Sequence, residues 1–477
     1  MKKNISRLGI GIFTTLLSTH IFSKELPIKY VGNYWSINSD INSLGINKFL
    51  ETMVKDGKDS PIVVLNTPAS SLMGRKVLIR DPKAIKKLFT DYLKEFTTKE
   101  RSFMAMRRLL GPLALLTSDA DEHHNNKKAD FTKYFGPANM ENFLPIMQKQ
   151  SSKVLEKWFS EGKIDDLYIQ VRDATLGVIK DITFGIEDGD NLEMGKLLEN
   201  AIKVSASVPL DVYFQALYFQ KLQGWYISYA YPEMKEYTDK VHEIIKGLYD
   251  QANPDFDTYL NFLKKAKKMG ENDAPDDELI NDLLTAYLGG HDTTTSFLTF
   301  MLEHLAFHPE IQQKIRNEIK EKLSYKLEIG QGIVREDLSK STMPALDEFI
   351  ESFAQIVPPV GASGRDVTKN FTLEMDDYAF SFYSGDQLIF PIENVYDTSI
   401  NEYASNDPEK QIKLSFHNGS PNTCPGQVFA KTEAKVFLIL SLWKHELVPM
   451  EREKVERLNR GTIVGANPIK IKVNPIL

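Results

Sequence analysis

Gly289-Gly290-His291-Asp292-Thr293-Thr294 stands inside the longest helical pattern of the chain. Across residues 276–322 the apolar positions recur at helical spacing: Leu279, Leu283, Leu284, Tyr287 and Leu288 before the hexad, and Phe297, Phe300, Met301 and Leu305 after it. Two adjacent glycines cost a helix interior about 2 kcal/mol, and the threonines add a penalty from their β-branched side chains. A helix tolerates that where something large must approach its backbone. The glycines are therefore expected to interrupt the helix, and Pro309, at a favoured early helical position, opens a further one to Leu323.

Outward from the hexad, most of the sequence reads as helix. An apolar helix over 430–445 directly follows the single cysteine, Cys424. Strand signals cluster near the two ends: PIVVLN at 61–66 and KVLIR at 76–80 predict a hairpin, and 371–390 and 463–473 supply further strands. The expectation is a mainly α fold carrying a small β region built from both parts of the chain. Residues 251–276 and 401–413 are polar and turn-rich and read as surface connections.

The 477 residues are 42% hydrophobic and 26% charged, the balance of a globular protein. A net charge of -7, spread along the chain, gives no concentrated basic face for nucleic acid. One cysteine excludes an internal disulfide framework and cysteine-rich zinc or iron–sulfur sites. At the N-terminus Lys2, Lys3 and Arg7 precede an uncharged run, 8–22, too short for a confident membrane span. Residues 1–23 read either as a secretory signal peptide, implying export, or as a short anchor, implying membrane association.

A lone cysteine is usually a small buried hydrophobe. The context of Cys424 points elsewhere. It lies in the stretch FHNGSPNTCPG (416–426), a glycine- and proline-rich loop that runs into the apolar helix. Near a helix N-terminus the dipole favours a thiolate, a suitable metal-binding sulfur.

This loop resembles the haem-binding pattern FxxGxRxCxG of the cytochrome P-450 family, with Phe416, Gly419, Cys424 and Gly426 matching. It is one residue longer, and the arginine has no counterpart; His417 is a substitute by position. The hexad is similar to the family's oxygen-activating (A/G)GxDT motif. On that likeness Gly289 and Gly290 let the helix pass over a haem, and Asp292 and Thr293 deliver protons. Where the family carries ExxR, this chain has Ser352 and Gln355, which are expected to hydrogen-bond instead. For the haem propionates the resemblance implies Arg365 together with His123 and Lys127, which match (W/H)xxxR with lysine for arginine; His124 is the neighbouring alternative. The aromatic-rich segment 208–229 would be a lid over an apolar substrate.

The resemblance therefore implies a cytochrome P-450 fold over 27–477 as one domain, binding heme b (iron protoporphyrin IX) with Cys424 as axial thiolate. It implies insertion of one oxygen atom from O2 into a lipophilic small molecule, with electrons from a separate ferredoxin or flavin reductase. Two alternatives are a haem-thiolate enzyme that uses peroxide or isomerises its substrate, and a degenerate haem- or lipid-binding paralogue.

Overall fold

The computed structural model describes residues 29–31, 54, 60–65, 74–96, 98–99, 104–186, 194–201, 232–270, 273–393, 395, 401, 416, 423–460 and 462–476. The N-terminal segment 1–23, the expected lid 208–229, His417 and nearly all of 401–413 lie outside them.

The helices, in chain order, are α1 (Pro82–Asp91), α2 (Met104–Leu110), α3 (Glu122–Phe135), α4 (Met140–Glu161), α5 (Leu167–Phe184), α6 (Pro232–Gln251), α7 (Tyr259–Ala266), α8 (Asp277–Phe307), α9 (Pro309–Glu328), α10 (Pro344–Ile356) and α11 (Gln427–Leu442). The chain also folds a helical stretch at 194–201. The strands are β1 (Lys29–Val31), β2 (Ile62–Leu65), β3 (Lys76–Ile79), β4 (Lys163–Ile164), β5 (Ser363–Asp366), β6 (Phe371–Glu374), β7 (Ala379–Phe382), β8 (Gln387–Phe390), β9 (His445–Pro449), β10 (Arg457–Arg460), β11 (Thr462–Gly465) and β12 (Ile471–Pro475).

Helix α8 is the axis of the molecule. The Asp276 side chain caps it by accepting from the Leu279 N–H, and Asp277 and Glu278 complement its dipole. It is buried on most sides, which its apolar residues on several faces require. The glycines do not interrupt it, contrary to expectation: α8 runs unbroken through Gly289-Gly290 and ends at His308, before Pro309. Tertiary packing outweighs the propensity penalty. A Cβ on Gly290 would lie 2.6 Å from the Ile179 Cδ1 of α5, so the two helices approach closely there.

Around α8 pack α5, α6 and α11, with α4 laid on α5 and α11, and their apolar faces form one large core that includes Trp158, Phe184, Tyr287, Phe297 and Phe437. A smaller cluster joins α1 to β2, β3, β8, β6 and β7. The main sheet has the order β1-β2-β3-β8-β5, so it is built from distant parts of the chain as expected. Its β2–β3 hairpin pairs Ile62 with Ile79, and β3 runs parallel to β8. A second sheet has the order β4-β12-β9, and β6–β7 and β10–β11 form separate two-stranded pairs.

One expected connection is helical. Within 251–276, Thr258 caps α7, and Tyr259, Leu260 and Leu263 are buried against the core. Phe262 packs on the same core, so the apolar face of these two turns is held by four side chains. Among the described residues no helix is long and apolar enough to cross a membrane.

Candidate functional site

Cys424 lies just before α11, whose N-cap is Gly426. Its N–H donates to the Phe416 carbonyl at 2.9 Å, and its carbonyl accepts from Gln427 N at 3.3 Å. Phe416 has φ +58, a costly conformation for a bulky side chain. Its ring meets Phe297 of α8 edge-on at 6.3 Å, so Phe416 is seated against the central helix. Burial raises the Cys424 thiol above its ordinary pKa, while a Gly426 N–H bond to the sulfur and the Lys128 ammonium pull it down. The side chain nevertheless keeps accessible surface. A deep sulfur with an open side and an N–H donor aimed at it is suited to hold a thiolate against a bound cation.

In the hexad the two glycines have different surroundings. Among the described residues a Cβ on Gly289 would meet nothing within 4 Å, whereas Gly290 is packed on Ile179. The two glycines thus do different things: one joins helices, the other leaves backbone bare beside open space. The Thr293 hydroxyl donates to the Gly289 carbonyl at 2.9 Å. Asp292 is buried and accepts from Tyr168 at 3.3 Å and from the Thr462 hydroxyl. Burial pushes its carboxyl up to about 6 against these two donors.

A cluster of basic groups gathers nearby. An isolated antiparallel bridge, Thr98 to Asp366, sets Lys99 opposite Arg365. Like charges facing each other across a strand pair destabilise it unless an anion is shared. Both are buried. Burial, then the Arg365 charge, lowers Lys99 to about 7, and burial lowers Arg365 to about 10. From α3, His124 and Lys128 face the same group: His124 is held down to about 4 by burial and by Lys99 and Lys128. Lys128 is lowered by burial and raised by Cys424.

His123 and Lys127 are not brought to that side. His123 Nε2 lies 3.1 Å from Glu278, and Lys127 Nζ lies 2.8 Å from Glu278 and 2.9 Å from Asp282, both on α8. Lys127 also donates to the Leu113 carbonyl. One step along a helix turns a side chain by about 100°, so the pair that reaches the Cys424 side is His124 and Lys128. Lys99 had no signal in the sequence: a bridge between distant segments puts it there.

Ser352 and Gln355 do not bond to each other. Ser352 donates back to the Glu348 and Phe349 carbonyls, and Gln355 Oε1 is buried without a partner among the described residues. What joins α10 to α11 is a ladder of ion pairs: Glu351 to Lys431, and Asp347 to Lys435 at 2.6 Å. The spacing of four on both helices keeps each pair on one face. The ladder reaches the helix that follows Cys424. Glu433, on the same helix, is buried with Oε2 unpartnered, and burial holds it protonated.

The family model for cytochrome P450 matches residues 70–400, more than half of the sequence. The chain belongs to the cytochrome P450 family. The match takes in α8 and Arg365 and ends before Cys424. Among similar curated proteins, cytochrome P450 26A1 of Danio rerio is 25% identical over 363 residues, covering 70% of this chain and 69% of its own. Cytochrome P450 4ae1 of Drosophila melanogaster is 26% identical over 416 residues, covering 78% and 79%. A solved structure, retinoic acid bound cyanobacterial CYP120A1, superimposes with a TM-score of 0.72 at 21% identity, covering 95% of this chain and all of that one. Together they establish a P450 fold that is mostly helical with small β regions.

Proposed function

We propose that this P450 is a haem-thiolate monooxygenase that inserts one oxygen atom from O2 into a lipophilic substrate. The observation that carries the reading is Cys424 itself: a sulfur with a Gly426 N–H donor, acted on by the Lys128 charge of a basic cluster that also holds Lys99 and Arg365.

The residues fit a haem. Cys424 would supply the axial sulfur, with Gly426 N–H steadying its charge. Lys99, Lys128 and Arg365 suit the two propionates: the Arg365 and Lys128 charges both push Lys99 down, and a bound carboxylate would add to the opposing pull of Asp119. His124 stays neutral near pH 7 and exchanges a hydrogen bond with Ser118 at 2.9 Å. Phe416, whose carbonyl accepts from the Cys424 N–H, is held against Phe297 of the central helix. When bound, the haem supplies O2 activation, and a thiolate ligand favours O–O cleavage. The chain's own part is proton handling. Asp292, poised near 6, holds a proton readily lost and regained at neutral pH, and Thr293 presents a hydroxyl beside the open side of Gly289. Electrons would come from a separate ferredoxin or flavin reductase docking on the Cys424 face.

The deciding experiment is a reduced-plus-CO difference spectrum of haem-loaded protein. A Soret band at the thiolate position that vanishes in Cys424→Ala supports the reading; its absence in the unmodified protein sinks it. Retinoic acid, the compound in the cyanobacterial structure, is a reasonable first test ligand. O2-dependent product with a reductase then separates a catalyst from a haem-binding protein without turnover.

A further inference from the structure

Asp292 is buried, yet its bonds do not come from its own helix. From α5 the Tyr168 hydroxyl donates to Oδ1 at 3.3 Å, and from β11 the Thr462 hydroxyl donates as well. Behind Tyr168 stands Arg172, one helical turn on, its guanidinium carbon 6.0 Å from the Tyr168 ring centre. Arg172 Nη1 lies 2.7 Å from Glu199 Oε2, and the guanidinium is buried while Glu199 is 40% exposed. A Cβ on Gly195 would lie 2.6 Å from Arg172 Nε, so the helical stretch at 194–201 lies close against the guanidinium. The charged groups that act on Asp292 are Arg172 from α5 and Glu199 from 194–201, with opposite effects; Thr462 does not titrate.

We infer that Tyr168 is a positioning residue for Asp292, holding its carboxyl at a fixed orientation, and that the Arg172–Glu199 pair behind it sets the electrostatic balance of that carboxyl. The inference rests on the reading of Asp292 as a proton donor in the reaction and assigns the residues that make it one. The phenol suits the task. Burial and the Asp292 charge keep it protonated far into alkaline pH, so it donates throughout the working range. An aliphatic residue there would leave a buried carboxylate with one donor fewer, and a charge held by fewer hydrogen bonds takes up its proton more readily. Glu199, with one edge in solvent, lets a change at the surface reach a group on the central helix through a single buried guanidinium.

Infrared titration of the buried carboxyl band in haem-loaded protein, assigned by its loss in Asp292→Asn, reads the midpoint directly. Tyr168→Phe is expected to move the midpoint up by about one unit, and Glu199→Gln to move it down. The pH profile of coupling, meaning reducing equivalents recovered in product against peroxide, should shift the same way in each variant. Fold integrity is read from the reduced-plus-CO spectrum, which neither substitution should change. An unchanged midpoint in Tyr168→Phe would overturn the assignment, leaving Tyr168 as core filling; shifts of the same sign in both variants would overturn the role of Glu199. If Asp292→Asn leaves coupling intact, the proton-donor reading fails instead, and the midpoint still decides whether Tyr168 holds Asp292.

Discussion

Asp292→Asn should make the protein more stable at neutral pH. In the folded chain burial raises the Asp292 carboxyl from 3.8 to about 6. Below pH 3.8 both folded and unfolded forms hold the proton, and the group costs nothing. As pH rises from 3.8 to 6 the unfolded chain releases the proton while the folded one keeps it, so stability falls; above 6 the whole penalty is present. The difference of about two units corresponds to about 3 kcal/mol at pH 7.5 and about 1 kcal/mol at pH 4.5. Asparagine accepts from Tyr168 at the same oxygen and donates one amide hydrogen to the Thr462 hydroxyl; its second amide hydrogen and the Thr462 proton lose a partner, which trims the gain without changing its pH dependence. Unfolding entropy for a chain of this length is about 1 kcal/mol/K, so the melting temperature should rise by about 3 °C at pH 7.5. Urea unfolding of the two proteins at pH 4.5 and 7.5 measures this. An equal gain at both pH values, or a loss at pH 7.5, would refute the burial argument. The same variant should lose coupled turnover, which places the stability cost of Asp292 in the service of chemistry.

Gly290→Ala should destabilise by about 1–3 kcal/mol, because its methyl meets Ile179, while Gly289→Ala, which meets nothing, should stabilise the helix by about 0.5–1 kcal/mol and perturb the haem spectrum; calorimetry and absorption distinguish them. Lys128→Gln and Arg365→Gln should weaken haem retention, measured by transfer to apomyoglobin. Lys127→Met should instead cost about 2 kcal/mol of stability by stranding the buried Asp282 carboxylate, with the spectrum unchanged. Breaking the ladder with Lys435→Met should cost about 2 kcal/mol, since Asp347 and Lys435 are both largely buried. The swap Asp347→Lys with Lys435→Asp should recover part of it in denaturant titrations.

Several features follow from the sequence by itself. The 3.6-residue pattern around the hexad marked α8, two short apolar runs rich in β-branched residues marked the β2–β3 hairpin, and the loop before an apolar helix marked Cys424. These are local signals: each depends on residues a few positions apart, and propensity and periodicity act at that range. The interruption expected at Gly289-Gly290 failed because the close contact with Ile179 outweighs a local penalty, and α7 went unseen because its burial depends on neighbours from elsewhere in the chain.

Tertiary structure alone decided the surroundings of the site. A slip of one residue on α3 separates His123 and Lys127 from His124 and Lys128, and both pairs read alike in sequence. Glu278 and Asp282 on α8 settle it by capturing the first pair. The single bridge from Thr98 to Asp366 brings Lys99 to Arg365, and Tyr168 and Thr462 reach Asp292 from elements far apart in the chain. Burial, charge repulsion and hydrogen-bond satisfaction depend on distance in space, so the residues that tune the site are fixed only when the chain has folded around it.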